Sequence, residues 1–266
     1  MTDAVLKDYQ QFDVRNYLNE YFLTTDGVND RCSRFLARCV QEQDLSNAQV
    51  LDFACGPIIS SILHIATVCK EIDMCDFVPA NLEEIRTWTA GDTDAFNWDS
   101  FVIKALQDEK ALAGIPDADI TAEEIAQRNT LVRQKIGQLL HCDGKQKYPL
   151  GIDFKKRYDV LIMSFCLENI AESVDEFENI FTNTLELLKP NGLLIWFVLA
   201  QRKDYKVGEL TYHSLVVSPT IVEQQLTRDN RYQKLEFIVE HIGEDGSLSD
   251  SVLVLCSARK LTTPKH

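Results

Sequence analysis

The sequence lacks any long apolar run. No stretch approaches the ~20 consecutive apolar residues of a membrane-spanning helix. Its first residues, MTDAVLKDYQQF, also lack the apolar segment of a secretory signal. Because 45% of the residues are hydrophobic, the 266-residue chain can still bury a large core. We therefore expect a soluble globular protein in the cytoplasm, with no membrane as a partner.

Closely spaced cysteine pairs and an excess of positive charge are also missing. The eight cysteines contain no C-x-x-C spacing and stand mostly in apolar segments, as buried thiols of a reducing compartment do. No metal site is expected. A net charge of −14 disfavours nucleic acid and anionic lipid as partners. Neither a repeat nor a low-complexity linker divides the chain, and we expect one domain over residues 1–266, acting as a monomer.

Glycine is scarce where a nucleotide-binding turn would need it. The segment LDFACGPIISSILH (51–64) has the pattern of a buried strand leading into a helix, with Gly56 alone at the joint. A turn that binds pyrophosphate needs several glycines, because backbone N–H groups must approach the phosphates closely. S-adenosylmethionine carries no phosphate, so one tight bend can bring the backbone to its amino-acid end. The turn therefore favours a methyltransferase over a dinucleotide-dependent enzyme.

Strands and helices alternate along most of the chain, which predicts a doubly wound, Rossmann-like parallel α/β sheet. The predicted strands are 49–54, 72–77, 158–165, 193–200, 234–242 and 251–260. The predicted helices are 13–24, 28–43, 57–70, 79–88, 174–189 and 219–228. The last two strands follow each other directly, so the last one should be antiparallel, which is typical of class I methyltransferases. A polar stretch, 94–147, reads as mostly helical and includes ITAEEIAQRNTLVRQKIGQLL (120–140).

An acidic residue ends the second predicted strand. Asp76 lies twenty residues after Gly56, where a carboxylate can accept hydrogen bonds from a ribose. The same residue occurs in NAD-binding folds, so it does not separate the two classes of enzyme. The antiparallel last strand does separate them, and it favours the methyltransferase.

Eight segments together resemble the nicotinamide, phenylethanolamine and indolethylamine N-methyltransferase family. They are YLNEYF (17–22), LDFACGPIISSIL (51–63), CDFVPANLEEIRTW (75–88), DAFNW (94–98), LLHCD (139–143), MSFCLE (163–168), LLKPNG (187–192) and VGELTYHSL (207–215). The combination of Y-L-x-x-Y-[YF], D-x-x-x-G-P, D-[YF]-x-x-x-N-L and A-F-[DN]-W is specific. The resemblance implies a class I enzyme that transfers a methyl group from S-adenosylmethionine to a small-molecule amine or pyridine. It also implies a helical cap (1–46) and a helical insertion (94–147) that contributes to the substrate pocket.

The resemblance further implies roles for single residues. S-adenosylmethionine would be bound by Tyr17, Phe22, Asp52, Ala54, Cys55, Gly56, Asp76, Asn81, Cys142, Asp143 and Ser164. The substrate would be contacted by Tyr17, Phe165, Glu168, Val198, Arg202 and Ser214. Tyr17, over the reacting centre, and Glu168, near the substrate amine, would serve catalysis.

The chain departs from the family pattern at several of these positions. Phe22 and Ser60 stand where family members have tyrosines that reach the carboxylate of the methyl donor. Val198 replaces an aspartate of nicotinamide-type members, and Arg202, which replaces a small residue, would suit an acidic group on the substrate. An alkylamine arrives as an ammonium ion and must lose a proton, whereas a pyridine nitrogen needs no base. Glu168 therefore favours an amine substrate, and two alternatives stay open: a pyridine acceptor, and a donor-binding paralogue without turnover.

Overall fold

The computed structural model describes residues 9, 11–116, 119–242 and 251–262, except for the side chain of Asp229. Residues 1–8 and 10 of the predicted cap, and residues 117–118 of the predicted insertion, lie outside the described residues.

Seven strands form one central sheet, and two more form a separate hairpin. The sheet strands are β1 Gln49–Phe53, β2 Glu71–Asp76, β3 Ile136–His141, β4 Tyr158–Ser164, β5 Leu188–Ala200, β8 Tyr232–His241 and β9 Val252–Lys260. The hairpin strands are β6 Asp204–Val207 and β7 Leu210–His213. The strand order is β3-β2-β1-β4-β5-β9-β8, with β1 to β5 parallel and β9 antiparallel to both of its neighbours. This arrangement confirms the predicted fold.

Several of the helices begin directly after a residue whose side chain caps them. They are α1 Val14–Tyr21, α2 Val28–Glu42, α3 Pro79–Thr89, α4 Asp99–Leu112, α5 Ala122–Lys135, α6 Leu167–Ile170, α7 Val174–Leu185 and α8 Pro219–Thr227. Asp13 and Ser173 each accept a hydrogen bond from a backbone N–H in the first turn of α1 and α7, and Thr121 forms a capping box with Glu124 at α5. Within the described residues, no helix is both long and apolar enough to cross a membrane.

Hydrophobic cores lie on both faces of the sheet because side chains alternate along each strand. On β5, Ile195 and Phe197 belong to the core that also contains side chains of α2, α3 and α4. Trp196 and Val198 point to the opposite face and pack with side chains of α7 and α8. The sheet is therefore covered on both sides, and its carboxyl-terminal edge remains available for a site.

The predicted helix over residues 57–70 is wrong. The segment forms two separate 3₁₀ turns, Ser60–Ile62 and Ile65–Thr67. Most of its side chains are buried, and the Ser61 hydroxyl donates to the carboxylate of Asp52 in β1. This tether outweighs the weak helix preference of a segment rich in Ile, Thr and Val, whose branched side chains lose rotamer freedom in a helix.

The predicted helical stretch over 120–140 is wrong in its last part, where β3 begins at Ile136. The strand lies parallel to β2 at the edge of the sheet. A Cβ at Gly137 would lie 2.8 Å from Glu71 Cγ and 2.9 Å from Asp73 Oδ1, so a larger residue there would have to displace these two side chains of β2. The helical period of the preceding residues concealed this signal.

Candidate active site

A cavity of about 710 Å³ lies at the carboxyl ends of the parallel strands. This is where ligands bind in doubly wound sheets, and the volume suits a small-molecule site. The floor and walls follow four strands and comprise residues 54–58, 76–78, 142–144 and 164–166, with Asn81 and residues 168–170. Residues between 9 and 31 form the roof together with Leu199, Arg202, Tyr205 and Ser214, and Ile242 also borders the cavity.

The structure brings all but two of the predicted site residues to this cavity. Those that line it are Tyr17, Phe22, Ala54, Cys55, Gly56, Asp76, Asn81, Cys142, Asp143, Ser164, Phe165, Glu168, Arg202 and Ser214. These residues belong to the cap, to the ends of four strands and to the segment that follows β5. Their individual roles remain predictions.

Asp52 and Val198 do not reach the cavity lining. Asp52 is fully buried beneath the turn, where it accepts a hydrogen bond from Ser61, and burial raises its pKa to about 7. Val198 is fully buried in the core on the opposite face of the sheet. Because side chains alternate along β5, it is Leu199 that lines the cavity. The predicted substrate contact of Val198 is therefore contradicted by its position.

The turn after β1 is held in a left-handed conformation. Ala54 has a φ of 50° and Gly56 a φ of 63°. A Cβ at Gly56 would meet no atom within 4 Å, so the glycine is required by its backbone angle and not by lack of space. The backbone N–H of Cys55 donates to Cys75 O at 2.9 Å, and that of Gly56 donates to Asp76 Oδ2 at 2.7 Å. These bonds tie the turn to the end of β2.

Asp76 is a buried hub between the turn and α3. Its Oδ1 accepts from the N–H of Val78 at 2.8 Å and from Asn81 Nδ2 at 2.9 Å. Burial raises the pKa of Asp76, although these hydrogen bonds act to lower it. Asn81 is held with its amide nitrogen toward Asp76, and its Oδ1 has no partner among the described residues. A polar acceptor is thus left open on the cavity wall.

The wall between β3 and β4 adds further polar groups. Asp143 accepts from the N–H of Lys145 and from Gln146 Nε2, both at 3.0 Å. Ser164, at the end of β4, has a buried hydroxyl for which the described part of the chain supplies no partner. Phe165 follows with a φ of 53°, a strained angle for a residue with a side chain. Strain of this kind is common beside ligand sites.

These groups suit an adenosyl ligand and not a dinucleotide. The carboxylates of Asp76 and Asp143 border the cavity, where they can accept hydrogen bonds from ribose hydroxyls and an adenine amine. The described segment 57–70 offers 3₁₀ turns instead of an α-helix, so the helix N-terminus that binds pyrophosphate in dinucleotide folds is missing there. S-adenosylmethionine fits the donors and acceptors present.

Glu168 is a buried carboxylate on the cavity, only 1% exposed. Its Oε1 accepts from the N–H of Leu199 at 3.0 Å. No described residue donates to its Oε2. Burial raises the pKa of Glu168 to about 7, although its hydrogen bonds and the charge of Arg202 act to lower it. The side chain can therefore take up and release a proton near neutral pH.

The roof of the cavity is aromatic. The Tyr17 ring centroid lies 5.2 Å from that of Phe12, 5.3 Å from Tyr21 and 5.6 Å from Phe22. Burial raises the pKa of the Tyr17 hydroxyl, which stays protonated. Phe22 in turn packs on the ring of Trp98 at 5.6 Å. A contiguous aromatic layer therefore borders the cavity on the side of the cap.

Sequence reasoning missed Tyr9, Phe12 and Tyr205, which also line the cavity. The hydroxyls of Tyr9 and Tyr205 lie 3.2 Å apart, which joins the cap to the β6–β7 hairpin. Tyr205 stands two residues before the matching segment VGELTYHSL (207–215), and this position was the available signal. Among the described residues of the predicted insertion 94–147, those that line the cavity are 142–144. The hairpin adds Tyr205 to the lining of the same cavity.

Known proteins resemble this chain in sequence and in fold. A sequence profile of the NNMT/PNMT/TEMT family matches residues 3–261. Phenylethanolamine N-methyltransferase of Macaca mulatta is 26% identical over 234 residues, which cover 85% of this chain and 79% of the relative. Nicotinamide N-methyltransferase of Sus scrofa is 25% identical over 218 residues, with coverage of 80% and 79%.

A solved structure shares the fold. The N-methyltransferase NodS from Bradyrhizobium japonicum WM9, in complex with S-adenosyl-L-homocysteine, aligns with a TM-score of 0.52 at 13% identity. The alignment covers 97% of this chain and 96% of that one. At this identity the likeness concerns the fold alone, whereas the family profile spans nearly the whole sequence. The chain belongs to the NNMT/PNMT/TEMT family.

Proposed function

We propose that this protein transfers a methyl group from S-adenosylmethionine to the nitrogen of a small amine that arrives as an ammonium ion. The observation that carries this proposal is Glu168, a buried carboxylate on the cavity whose Oε2 no described residue satisfies. A buried acid without a partner costs stability. Its presence at a ligand cavity is accounted for by a cationic ligand that pairs with it.

The methyl donor would be held by the strand ends. Asp76 and Asn81 would bind the ribose, Asp143 the adenine amine, and the turn at Gly56 the methionine end. When bound, S-adenosylmethionine supplies an electrophilic methyl group. Ser164, with its unpaired hydroxyl, would bind close to that group.

The work of the protein in such a transfer is alignment and the exclusion of water. Tyr17 and the aromatic layer around it would cover the two reactants. An aromatic cover also suits an ammonium ion, because the faces of tyrosine and phenylalanine rings attract cations.

Glu168 would then handle the proton of the acceptor. An ammonium nitrogen has no free lone pair, so it must lose a proton before it can attack the methyl group. With a pKa of about 7, Glu168 can accept that proton at Oε2 at neutral pH. A pyridine nitrogen has no such proton, and the burial of an unpaired carboxylate would then serve no purpose. The alkylamine is therefore preferred over nicotinamide.

The test replaces Glu168 by glutamine, which keeps the size and the hydrogen bond to Leu199 and removes the acid. We expect Glu168→Gln to lower kcat/KM for arylalkylamines by at least about 100-fold, the usual contribution of a general base. Transfer to nicotinamide should be nearly unchanged. Both would be measured with labelled S-adenosylmethionine between pH 6 and 9, and Glu172→Gln, an exposed acid on the same side of the fold, serves as the control.

Equal losses with amine and pyridine acceptors would contradict the role of Glu168. Absence of methyl transfer to every acceptor, together with calorimetric binding of S-adenosylhomocysteine, would instead support a donor-binding paralogue without turnover.

We also propose that the protein acts in the cytoplasm and as a monomer. All eight cysteines are free thiols, and all except Cys32 are buried, which suits a reducing compartment. Light scattering of the purified protein would check the monomeric state.

A further inference from the structure

We propose that the acceptor carries an anionic group as well as its amine, and that Arg202 binds this anion, so that the acceptor is an amino carboxylate. The inference deepens the proposed function and rests on it for the position of the amine. It is carried by the geometry of Arg202 in the cavity and by the charges around it.

Arg202 is fixed with the outer end of its guanidinium group free. Its Nε donates to the backbone carbonyl of Asp204 at 2.6 Å. The guanidinium carbon lies 5.8 Å from the centroid of the Tyr205 ring. The two terminal nitrogens remain, and the described part of the chain offers no carboxylate within ion-pair distance of them. The guanidinium group is planar, and its Nε is already bonded to the protein. Its terminal nitrogens can therefore donate two parallel hydrogen bonds to one carboxylate.

The other arginine of the cavity shows what a paired cation looks like. Arg31 also lines the cavity, but its Nε lies 2.7 Å from Glu240 Oε2. Arg202 has no such partner among the described residues, although many acids are present in a chain of net charge −14. In so acidic a protein, a cation that lies on the ligand cavity without a carboxylate is available for one from the ligand.

Arg202 and Glu168 form a complementary pair of open charges. Both line the cavity, and the charge of Arg202 acts on Glu168 and on Tyr17. The two side chains do not form a salt bridge with each other, and Glu168 Oε2 stays unpaired. A ligand with an ammonium group and a carboxylate would satisfy both at once. Tyr17 of the cap and Tyr205 of the hairpin also line the cavity. Their rings can pack against an aromatic or aliphatic part of the ligand between its two charged groups.

The methyl donor has a carboxylate of its own, which is a second source of the same chemistry. Two observations favour the acceptor. Arg202 follows β5 and acts on Glu168, the group of the proposed amine end. The methionine end of the donor would lie at Gly56, after β1, and the side chain of Arg202 makes its contacts with Asp204 and Tyr205 of the hairpin instead.

The experiment compares acceptors that differ by one carboxylate. The pairs are phenylalanine with phenethylamine, tyrosine with tyramine, and 3-(aminomethyl)benzoate with benzylamine. Each is titrated by calorimetry into the protein saturated with S-adenosylhomocysteine, and each is assayed for methyl transfer. The proteins are wild type, Arg202→Gln, Arg202→Lys and the control Lys203→Gln, which removes an exposed neighbouring charge.

We expect the wild type to bind at least one carboxylate member about tenfold or more tightly than its partner, the effect of one charge-assisted pair. Arg202→Gln should abolish this preference, Arg202→Lys should keep part of it, and Lys203→Gln should keep it entirely. Affinity for S-adenosylhomocysteine should be the same in all four proteins.

Three results would overturn the inference. The first is a wild type that binds no carboxylate member more tightly than its partner. The second is a preference that survives Arg202→Gln. The third is a loss of S-adenosylhomocysteine affinity in Arg202→Gln, which would assign Arg202 to the donor carboxylate. Selective binding without methyl transfer would refute the proposed function and leave Arg202 standing as the site of a ligand carboxylate. Methyl transfer without selective binding would support the proposed function and refute the role of Arg202.

Discussion

Two buried polar clusters in this protein differ in how completely their hydrogen bonds are made. The first, here called the His64 cluster, comprises Ser33, His64, Asp108, Glu109 and Arg128. The His64 ring lies 2.9 Å from Glu109 Oε1 and 3.0 Å from Ser33 Oγ. Ser33 donates to Asp108 at 2.6 Å, and Arg128 donates to both oxygens of Glu109 at 2.9 and 2.6 Å. Every one of these charged groups has a partner.

The hydrogen bonds of the His64 cluster also occupy both nitrogens of its histidine ring. The Ser33 hydroxyl gives its one proton to Asp108, so it must accept from the His64 ring. The other ring nitrogen faces the Glu109 carboxylate, which can only accept. Both ring nitrogens therefore have a partner within the cluster. Ser33, His64 and Glu109 are linked one after another as in a hydrolytic triad. The Ser33 hydroxyl, however, donates its proton to Asp108 and not to the histidine.

The second cluster lies on the cavity and is incomplete. Asn81 Oδ1, Ser164 Oγ and Glu168 Oε2 have no partner in the described structure. Each unpaired buried group costs about 1–3 kcal/mol. The comparison shows that burial and charge do not by themselves identify a site, since both clusters have them. What separates them is that the groups of the first cluster are satisfied by the protein, whereas no described residue satisfies the three groups on the cavity.

The strongest test breaks the complete cluster. Arg128→Met removes the arginine that donates to both oxygens of Glu109 and should lower the free energy of unfolding by about 3 kcal/mol, because a half-buried acid then keeps only the His64 ring as a partner. Urea denaturation would measure the loss. Methyl transfer per folded molecule should not change. A loss of activity at full stability would mean that the two clusters are coupled.

The next test removes the unpaired acid, Glu168, from the incomplete cluster. The pKa of Glu168 in the folded protein, about 7, is higher than its ordinary value of 4.5. Protonation therefore stabilises the fold, and this contribution is complete below about pH 4.5 and is lost as the pH rises through 7. At pH 8, Glu168→Gln should be more stable than wild type by about 2–3 kcal/mol. Unfolding curves at pH 5 and 8 would check it, and equal pH dependence in both proteins would contradict it.

A third test concerns binding at the strand ends. Asp76→Ala should weaken calorimetric binding of S-adenosylhomocysteine by about 2 kcal/mol, because charge-assisted hydrogen bonds to the ligand are lost. The matched control is Asp52→Asn, whose acid lies off the cavity and which should bind normally. If the control loses affinity and Asp76→Ala does not, the assignment of the two acids is reversed.

The smallest effect is expected at the roof. The Tyr21 hydroxyl donates to Lys206 O at 2.8 Å, so Tyr21→Phe removes one partly exposed hydrogen bond between cap and hairpin. We expect a loss of at most about 1 kcal/mol in stability and a faster release of S-adenosylhomocysteine, measured by stopped flow. Tyr148→Phe, away from the roof, is the control. Unchanged release would show that this bond does not hold the roof closed.

Much of the fold could be predicted because its signals are local. Strands such as β1 and β4 are short apolar runs, and Asp13 and Ser173 cap their helices. The helix over 57–70 failed because a side chain of that segment is tethered to β1, which no local pattern reveals. The strand at Gly137 was hidden for the same reason, since its neighbour β2 lies more than sixty residues earlier.

For the site, the family resemblance selected residues and the structure decided their direction. Val198 and Leu199 are adjacent apolar residues of one strand, and the sequence does not show which of them points to the site. In the structure Leu199 faces the cavity and Val198 lies in the opposite core. The open state of Glu168 and Arg202 could not be predicted either, because a missing partner is a property of the whole fold. The sequence contains the charges, and only the assembled structure shows which of them remain unpaired.

The roof has a consequence for the synthesis of the chain. Its contacts join Tyr21 to Lys206, Glu20 to Gly208 and Tyr9 to Tyr205, pairs that stand 185, 188 and 196 residues apart. At a translation rate of about 5–20 residues per second, α1 leaves the ribosome roughly 10–40 seconds before its partners exist. During that interval its aromatic side chains have no hairpin to cover them. The nascent protein can therefore begin to build its sheet early, but it cannot close around a ligand until four-fifths of the chain has been made.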